Sequence, residues 1–379
     1  MKKLLPLTGI RAIAALWVVL LHIHASFPSS IQLPFIVKGY LGVDMFFILS
    51  GFVLSYVHQH EFTQLLSPST YHFMVSRFAR IFPIHWLMLF TLGLIIVTKN
   101  VILHLPSDNP GQYTGIDFIY HFLNIQAWGF SPHHSWNFPA WSVSAEWFAY
   151  LLFPLITPFV AKLKTIKMNL SLIVLCFISL ISYAFLNHLP NLDWSYKHSL
   201  VRVTLEFLIG CGLFNIYKTV PAESIKAQLL SLVAVFGLGI SVCCAWHDSI
   251  TVMFITLLLF ALTYSQGMVS DFLSQKALVY LGEISYSMYM VHCILIMFLE
   301  QAQKKLPLFT AAYSLQNGLM TFGFLCFVIL VAHGLFQYVE VPSRKVLRNL
   351  LMNRPSAPMP KEIESKEIEK IELSPVQMS

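Results

Sequence analysis

Ten apolar segments, each close to the length of a membrane-spanning helix, dominate the sequence. A helix needs roughly 20 mostly apolar residues to cross about 30 Å of hydrocarbon. By this measure the predicted spans are 6–25, 36–57, 79–98, 141–161, 168–187, 200–217, 228–246, 250–265, 278–299 and 317–339. Only 11% of the 379 residues are charged, against about 25% in a soluble domain. We therefore expect an all-α polytopic membrane protein in which about ten transmembrane helices form one bundle.

The basic residues predict the orientation of this bundle, because cytoplasmic loops carry an excess of Lys and Arg. With a cytoplasmic start, fourteen Lys and Arg residues near the span ends lie inside and four lie outside. Both termini are therefore predicted to be cytoplasmic. Lys2 and Lys3 before an apolar run would also suit a signal peptide. Arg11 interrupts that run and no small-residue cleavage site follows, which favours a retained first helix.

Two regions differ in composition from the spans. The transmembrane domain is predicted to cover residues 1–345, and residues 346–379 to form a charged, disordered cytoplasmic tail. The longest stretch between spans, about 99 to 140, is predicted to lie outside the cell. It carries aromatic and hydrogen-bonding side chains at His104, His121, Trp128, His133, His134 and Trp136. These groups suit a sugar ring, and equally an interfacial aromatic belt.

Ionisable groups within spans are costly, at about 2.5–3.5 kcal/mol each near a helix centre, so each is a functional candidate. Arg11 and His22 are eleven residues apart in the first helix, which places them on one face and about 16 Å apart along the axis. An arginine suits phosphate and a histidine suits acid–base chemistry. The alternatives are a snorkelling arginine and a histidine that bonds to a neighbouring helix.

Further polar groups are predicted to line the same interior. Arg77 and Arg80 open the third span at its cytoplasmic end, where a positive-inside anchor is the alternative, strongest for Arg77. Trp141, Ser142 and Glu146 begin the fourth span, with Ser142 and Glu146 one turn apart at roughly the depth of His22. A buried glutamate without a partner would take up a proton, so we expect a histidine partner, a proton-relay role or a contact with an acceptor hydroxyl.

Three more sets of candidate site residues lie in the second, sixth and ninth spans. Asp44 is a buried acid among small residues in the second span, and Arg202 and Glu206 in the sixth form a predicted internal ion pair. In the ninth span the polar stripe consists of Ser285, Tyr289 and His292, which could line the cavity or bond between helices. The six cysteines have no paired spacing, so neither a disulfide framework nor a metal site is predicted.

Five of these motifs, in this order, resemble the integral-membrane acyltransferase family 3, whose members include O-acetyltransferases of surface polysaccharides. They are Arg11 with His22, Gly42-Val-Asp44-Met-Phe46-Phe47-Ile-Leu-Ser50-Gly51-Phe52, Arg77-Phe-Ala-Arg80, Trp141-Ser142-Val-Ser144-Ala-Glu146 and Leu281-Gly282-Glu-Ile-Ser285 through His292. Val339-Glu340-Val-Pro342 is also similar. Many members carry an additional hydrolase-like domain after the membrane part. Its absence from this sequence leads us to expect a stand-alone enzyme.

The resemblance implies transfer of an acyl group, most often acetyl, from cytoplasmic acyl-CoA to a hydroxyl of an extracytoplasmic sugar. In that role Arg11, Arg77 and Arg80 would bind acyl-CoA, and His22 would act as general base with Glu146 orienting it; an acyl-His22 intermediate is the alternative. Asp44, Trp141 and the polar stripe would line the acceptor cavity. No permanently bound cofactor is expected. The competing hypothesis is a glycan or solute transporter without chemistry.

The same resemblance predicts a location in a bacterial cytoplasmic (inner) membrane. It leaves the acceptor open among lipopolysaccharide O-antigen, lipid-linked glycan, capsule, glucan and small secondary metabolites. It also leaves open the length of the acyl chain and the oligomeric state.

Overall fold

The computed structural model describes residues 3–27, 34–62, 69–102, 104, 110–131, 134–306, 308–309 and 314–352. Within these ranges the regular structure is entirely helical. We number the eleven longest helices. They are α1 (Leu5–Ser26), α2 (Gly42–His58), α3 (Ser69–Val97), α4 (Trp141–Val160), α5 (Ile166–Leu186), α6 (Ser199–Thr219), α7 (Ala227–Cys243), α8 (Asp248–Thr263), α9 (Ser285–Lys305), α10 (Leu315–Leu335) and α11 (Val341–Met352).

Shorter helices connect these elements. They include Pro34–Val37, Gly115–Phe122, Met268–Leu273 and Lys276–Glu283. The last is separated from α9 by a bend of 65° at Ile284. Pro83 lies inside α3, and Pro154 and Pro158 lie inside α4.

Seven helices of the described chain are long and apolar enough to cross a membrane, or eight if the bent pair that ends in α9 counts as one span. The predicted seventh and eighth spans coincide with α7 and α8, which are apolar but have only 17 and 16 residues. The prediction of an all-α polytopic membrane protein is confirmed. The cytoplasmic location of both termini stays a prediction.

Glycines allow α2 and α6 to touch through their backbones. A Cβ on Gly51 would lie 2.0 Å from the carbonyl oxygen of Phe207, and a Cβ on Gly210 would lie 2.0 Å from that of Ile48. Small residues promote this kind of close approach between helices in a membrane. The contact holds α2 beside α6 and so places the charged groups of the two helices within bonding distance.

A buried charge cluster forms at that contact. Nη2 and Nε of Arg202 donate to the carboxylate of Asp44 at 2.5 and 3.2 Å, and Nε lies 3.7 Å from Oε1 of Glu206. All three side chains are fully buried. The predicted pairing of Arg202 with Glu206 is present, but Asp44 is the closer partner of Arg202.

The helix α11 extends past the predicted domain boundary at residue 345. It continues without interruption to Met352 and packs against α3. Residues 346–352 are therefore helical rather than part of a disordered tail. The rest of the predicted tail, 353–379, lies outside the described residues, as does His133 in the long connection.

Candidate active site

Three arginines from two helices converge on one cavity, which we call the arginine cavity. Arg11 comes from α1, and Arg77 and Arg80 come from α3; all three are half-buried. The cavity has a volume of about 110 Å³. Its other polar lining groups are Ser50, Ser142, Glu146, Tyr150, Ser285, Tyr286 and Tyr289. An anion is the natural ligand of this lining, because guanidinium groups outnumber carboxylates in it.

Glu146 is hydrogen-bonded within the arginine cavity. Its Oε1 accepts hydrogen bonds from the hydroxyl of Ser50 and, at 2.6 Å, from that of Tyr150. Its carboxylate attracts Arg11, Arg77 and Arg80. Glu146 therefore offsets the repulsion among three nearby cations.

Two polar atoms of the arginine cavity are buried without a hydrogen-bond partner among the described residues. They are Nε of Arg77 and Oγ of Ser285. The guanidinium of Arg77 lies 5.8 Å from the ring centroids of both Phe73 and Tyr150, which holds it in place. A buried donor left unbonded is costly, so these atoms are positioned to bond a ligand.

A second cavity, which we call the histidine cavity, contains His22. Its volume is about 650 Å³. Besides His22 its polar and aromatic lining includes Ser26, Lys99, Gln112, Tyr113, Trp136, Asn137, Phe138, Cys293, Glu300 and Gln301. Several of these residues belong to the long connection 99–140, so that connection forms a wall of the cavity.

The partner of His22 is His292. Nδ1 of His22 and Nε2 of His292 are 2.9 Å apart, and the rings stack with centroids 5.0 Å apart. Nδ1 of His292 lies 2.5 Å from the carbonyl oxygen of Tyr289. A carbonyl only accepts, so Nδ1 of His292 carries a hydrogen and Nε2 accepts from His22. Nε2 of a neutral His22 is therefore unprotonated and basic.

This pairing corrects the predicted partner of His22. Glu146 was expected to orient His22, but it lies in the arginine cavity and bonds to Ser50 and Tyr150. The physical reason is helix packing: α9 places His292 beside α1, while α2 and α3 surround Glu146. The positioning contact of His22 comes from α9.

Tyr289 lies between the two cavities. Its hydroxyl bonds to Oγ of Ser142 at 2.7 Å and donates to the carbonyl of Pro139 at 2.9 Å. Tyr289 lines the arginine cavity, and its ring centroid is 5.5 Å from that of His292. One aromatic contact thus links the arginine cavity to the histidine pair.

Three predicted lining residues are not among the lining of either cavity: His292, which is the partner of His22, and Asp44 and Trp141, which lie near Arg202. Asp44 bonds to Arg202 in the buried charge cluster, and its neighbours Val43 and Phe46 line the arginine cavity in its place. Trp141 packs against Phe47 and lies under the guanidinium of Arg202, 5.6 Å from the ring centroid. Both residues fix helices that carry the site, and neither belongs to the lining residues of the two cavities.

The long connection packs onto the bundle through its polar groups. Nε1 of Trp128 donates to the carbonyl of Ser144 at 3.0 Å, and Nε1 of Trp136 donates to that of Thr114 at 3.1 Å. His121 is fully buried and bonds to Ser135 at 3.2 Å. Burial, together with nearby His85, lowers the pKa of His121 to about 3.

Sequence reasoning missed several groups that the fold brings to the site. Tyr150 is one turn after Glu146, a spacing that could have identified it. Ser50 lies in the second motif, Gly42 to Phe52, but its pairing with Glu146 could not be read from the sequence because the two residues are 96 positions apart. Cys293 was also missed, because no spacing in the sequence marked it as a site residue. In the structure it contacts His292 at 3.3 Å and lines the histidine cavity.

Comparison with known proteins identifies the family of the chain. A model of the acyltransferase domain (acyltransferase 3) matches residues 6–336. The chain belongs to this acyltransferase family. The matched region contains both cavities, and the resemblance drawn from the five motifs is confirmed. The chain is thus a member of a family of acyltransferases with several helices able to cross a membrane, which favours acyl transfer over the transporter hypothesis.

Individual relatives are distant. The chain is 24% identical over 375 residues to O-acetyltransferase OatA of Staphylococcus aureus, covering 89% of this chain and 57% of that protein. It is 28% identical over 330 residues to acyltransferase MdmB of Streptomyces mycarofaciens, covering 78% and 79%. It is 26% identical over 248 residues to peptidoglycan O-acetyltransferase OatA of Listeria monocytogenes, covering 60% and 37%. No solved structure matches the chain.

The coverage of these relatives differs. The chain spans little more than half the length of the Staphylococcus aureus relative and most of the length of the Streptomyces one.

Proposed function

We propose that the protein transfers an acyl group, with acetyl as the first candidate, from cytoplasmic acyl-CoA to a hydroxyl of an extracytoplasmic sugar. The observation that supports this most is the pair of cavities along α1. Arg11 lines the arginine cavity and His22 lines the histidine cavity, eleven residues and about 16 Å further along the same helix. The spacing suits a long donor that is held at one end and reacts at the other.

The arginine cavity fits part of acyl-CoA. Arg11, Arg77 and Arg80 supply charge for the phosphates of the nucleotide head. A volume of about 110 Å³ is small beside the roughly 300–1,000 Å³ of a pocket for a drug-sized ligand. The head therefore stays at the arginines and only the thin pantetheine arm enters. To reach His22 the arm passes between Ser142 and Tyr289, so the hydrogen bond between their hydroxyls breaks.

The chemistry follows from the proton positions at the histidine pair. Nε2 of His22 takes the proton of the acceptor hydroxyl as its oxygen attacks the thioester carbonyl. The bond from carbon to sulfur breaks, and the proton passes from His22 to the thiolate of CoA. His292 is a positioning residue, because it keeps the hydrogen of His22 on Nδ1 and so leaves Nε2 basic. Direct attack by Nε2 would instead give an acyl-His22 intermediate.

The histidine cavity supplies the acceptor site. Trp136 and Tyr113 offer ring faces, and Gln112, Asn137 and Gln301 offer hydrogen bonds, a combination that suits a sugar. Two relatives are named O-acetyltransferase and peptidoglycan O-acetyltransferase, so a surface glycan is the first acceptor class to test. Lipopolysaccharide O-antigen is a second candidate. This role requires a bacterial cytoplasmic membrane with α1 starting on the inner side.

The decisive experiment separates transfer from transport. Purified protein is incubated with acetyl-CoA and an oligosaccharide acceptor, and CoA release and acetylated acceptor are measured. His22→Ala should abolish both products. His24→Ala is the matched control, because His24 is on the same helix but rotated about 200° from His22. Near-normal transfer by His22→Ala would refute the proposed base, and a covalent acetyl group on His22 in the absence of acceptor would favour the acyl-enzyme route.

Donor binding is tested separately. Arg80→Ala should weaken acetyl-CoA binding in isothermal titration by about tenfold or more, the loss of one charge-assisted contact. Arg348→Ala, an exposed arginine of α11, should leave the affinity unchanged. Equal affinities of wild type and Arg80→Ala for acetyl-CoA would refute the assignment of the arginine cavity to the donor site.

A further inference from the structure

Three metal-ligating atoms meet at the edge of the histidine cavity. Nδ1 of His22, Nε2 of His292 and Sγ of Cys293 all lie within 4.8 Å of one another. Two of the separations from Nε2 are 2.9 Å, to His22, and 3.3 Å, to Cys293. In a tetrahedral zinc site, with bonds of about 2.0–2.3 Å, neighbouring ligand atoms are about 3.3–3.6 Å apart. Side-chain movements of about an ångström would produce that geometry.

Two hydrogen-bond donors of the cluster compete for one acceptor. Nε2 of His292 has one lone pair, because its Nδ1 carries the hydrogen donated to the carbonyl of Tyr289. Both Nδ1–H of His22 and S–H of Cys293 approach that single lone pair. A cation at the centre would let all three atoms use a lone pair at once. The carbonyl behind His292 is also the kind of outer contact that orients a metal-binding histidine.

We propose that His22, His292 and Cys293 form a reversible Zn²⁺ site. Two imidazoles and a thiolate are a donor set that suits zinc and not Mg²⁺ or Ca²⁺, which prefer oxygen. Three protein ligands leave the fourth position open. His22 and Cys293 line the histidine cavity of about 650 Å³, which provides the route for the ion and space for a water at the fourth position.

Zinc at this site would inhibit acyl transfer, a consequence that rests on the proposed role of His22. Binding through Nδ1 moves the hydrogen of His22 to Nε2, and the thiol of Cys293 releases its proton to solvent. Nε2 then has no lone pair with which to take the proton of an acceptor hydroxyl. The binding of zinc itself depends only on the three ligands.

Metal binding is tested with Co²⁺ as a spectroscopic probe. Metal-stripped, purified full-length protein is titrated with Co²⁺, and the thiolate-to-cobalt charge-transfer band is recorded. We expect one equivalent to produce the band and Zn²⁺ to remove it by competition. Cys293→Ser should abolish the band and weaken Zn²⁺ binding at least about 100-fold, beyond the loss seen for outer contacts. Cys326→Ser and Cys244→Ser, which change exposed cysteines, should retain it.

The outcomes separate the two proposals. No band, or an equal band in Cys293→Ser, would overturn the zinc site whatever His22 does in catalysis. CoA release is then measured against Zn²⁺ concentration, with each variant compared with its own zinc-free rate. Inhibition should follow the binding curve and shift by the same factor in Cys293→Ser. Zinc binding at this cluster without inhibition would keep the site and refute its link to the general base.

Discussion

Removal of either member of the buried pair Asp44 and Arg202 should destabilise the protein strongly. Both side chains are fully buried and joined at 2.5 and 3.2 Å. Removing one partner of such a pair leaves an uncompensated charge and costs about 3–5 kcal/mol. Glu206 is 3.7 Å from Nε of Arg202. Because of this second carboxylate, replacing Asp44 and replacing Arg202 should cost different amounts of stability.

The position of Glu206 predicts the order of the effects. Asp44→Asn leaves Arg202 with Glu206 as a partner, so its cost should be near 3 kcal/mol. Arg202→Met leaves two carboxylates without a cation, so its cost should be near 5 kcal/mol, at the upper end of the range for a broken buried pair. The double variant Asp44→Asn/Arg202→Met should be more stable than Arg202→Met alone, because it removes one of the two buried carboxyl groups that are left without a cation.

The assay is reversible unfolding of the purified protein in mixed micelles, analysed as a double-mutant cycle. Glu61→Gln is the control. Glu61 pairs with His58 at 3.0 Å, but its side chain is 30% exposed, so the cost should stay below about 1 kcal/mol. Single-variant costs below about 1 kcal/mol, or a double variant equal to the sum of the singles, would refute the reasoning.

Three further predictions concern stability. The pKa of His121 is lowered to about 3, so below pH 6.5 the unfolded chain binds a proton that the folded chain does not. The free energy of unfolding should therefore fall by about 1.4 kcal/mol per pH unit. His121→Gln should flatten that slope in unfolding curves. Gly51→Ala places a Cβ 2.0 Å from the carbonyl oxygen of Phe207 and should lower the thermal midpoint markedly; an unchanged midpoint would contradict the close contact. Tyr150→Phe removes a donor at 2.6 Å from Glu146 and should cost about 1.5–3 kcal/mol in the same unfolding assay.

The membrane fold was predictable because its main determinant is local. A span satisfies its own backbone hydrogen bonds and needs only enough consecutive apolar residues to cross the bilayer. Each of the ten predicted segments overlaps helical residues of the described chain, but α7 and α8 are short and the ninth segment is bent by 65° at Ile284, so seven or eight helices qualify as spans. The spacing of Arg11 and His22 is also local, and it placed them at different depths on one helix, where each lines a separate cavity.

The pairing of side chains was not predictable because it joins helices that are distant in sequence. His22 meets His292 across 270 residues, and Arg202 meets Asp44 across 158. Spacing within a helix identifies a face but not the helix that packs against it. The amino-acid sequence by itself thus determined the membrane class, the spans and most of the candidate residues. The tertiary structure alone decided that Glu146 belongs with the arginines, that His292 is the partner of His22, and that Cys293 lies beside this histidine pair, because these contacts depend on helix packing.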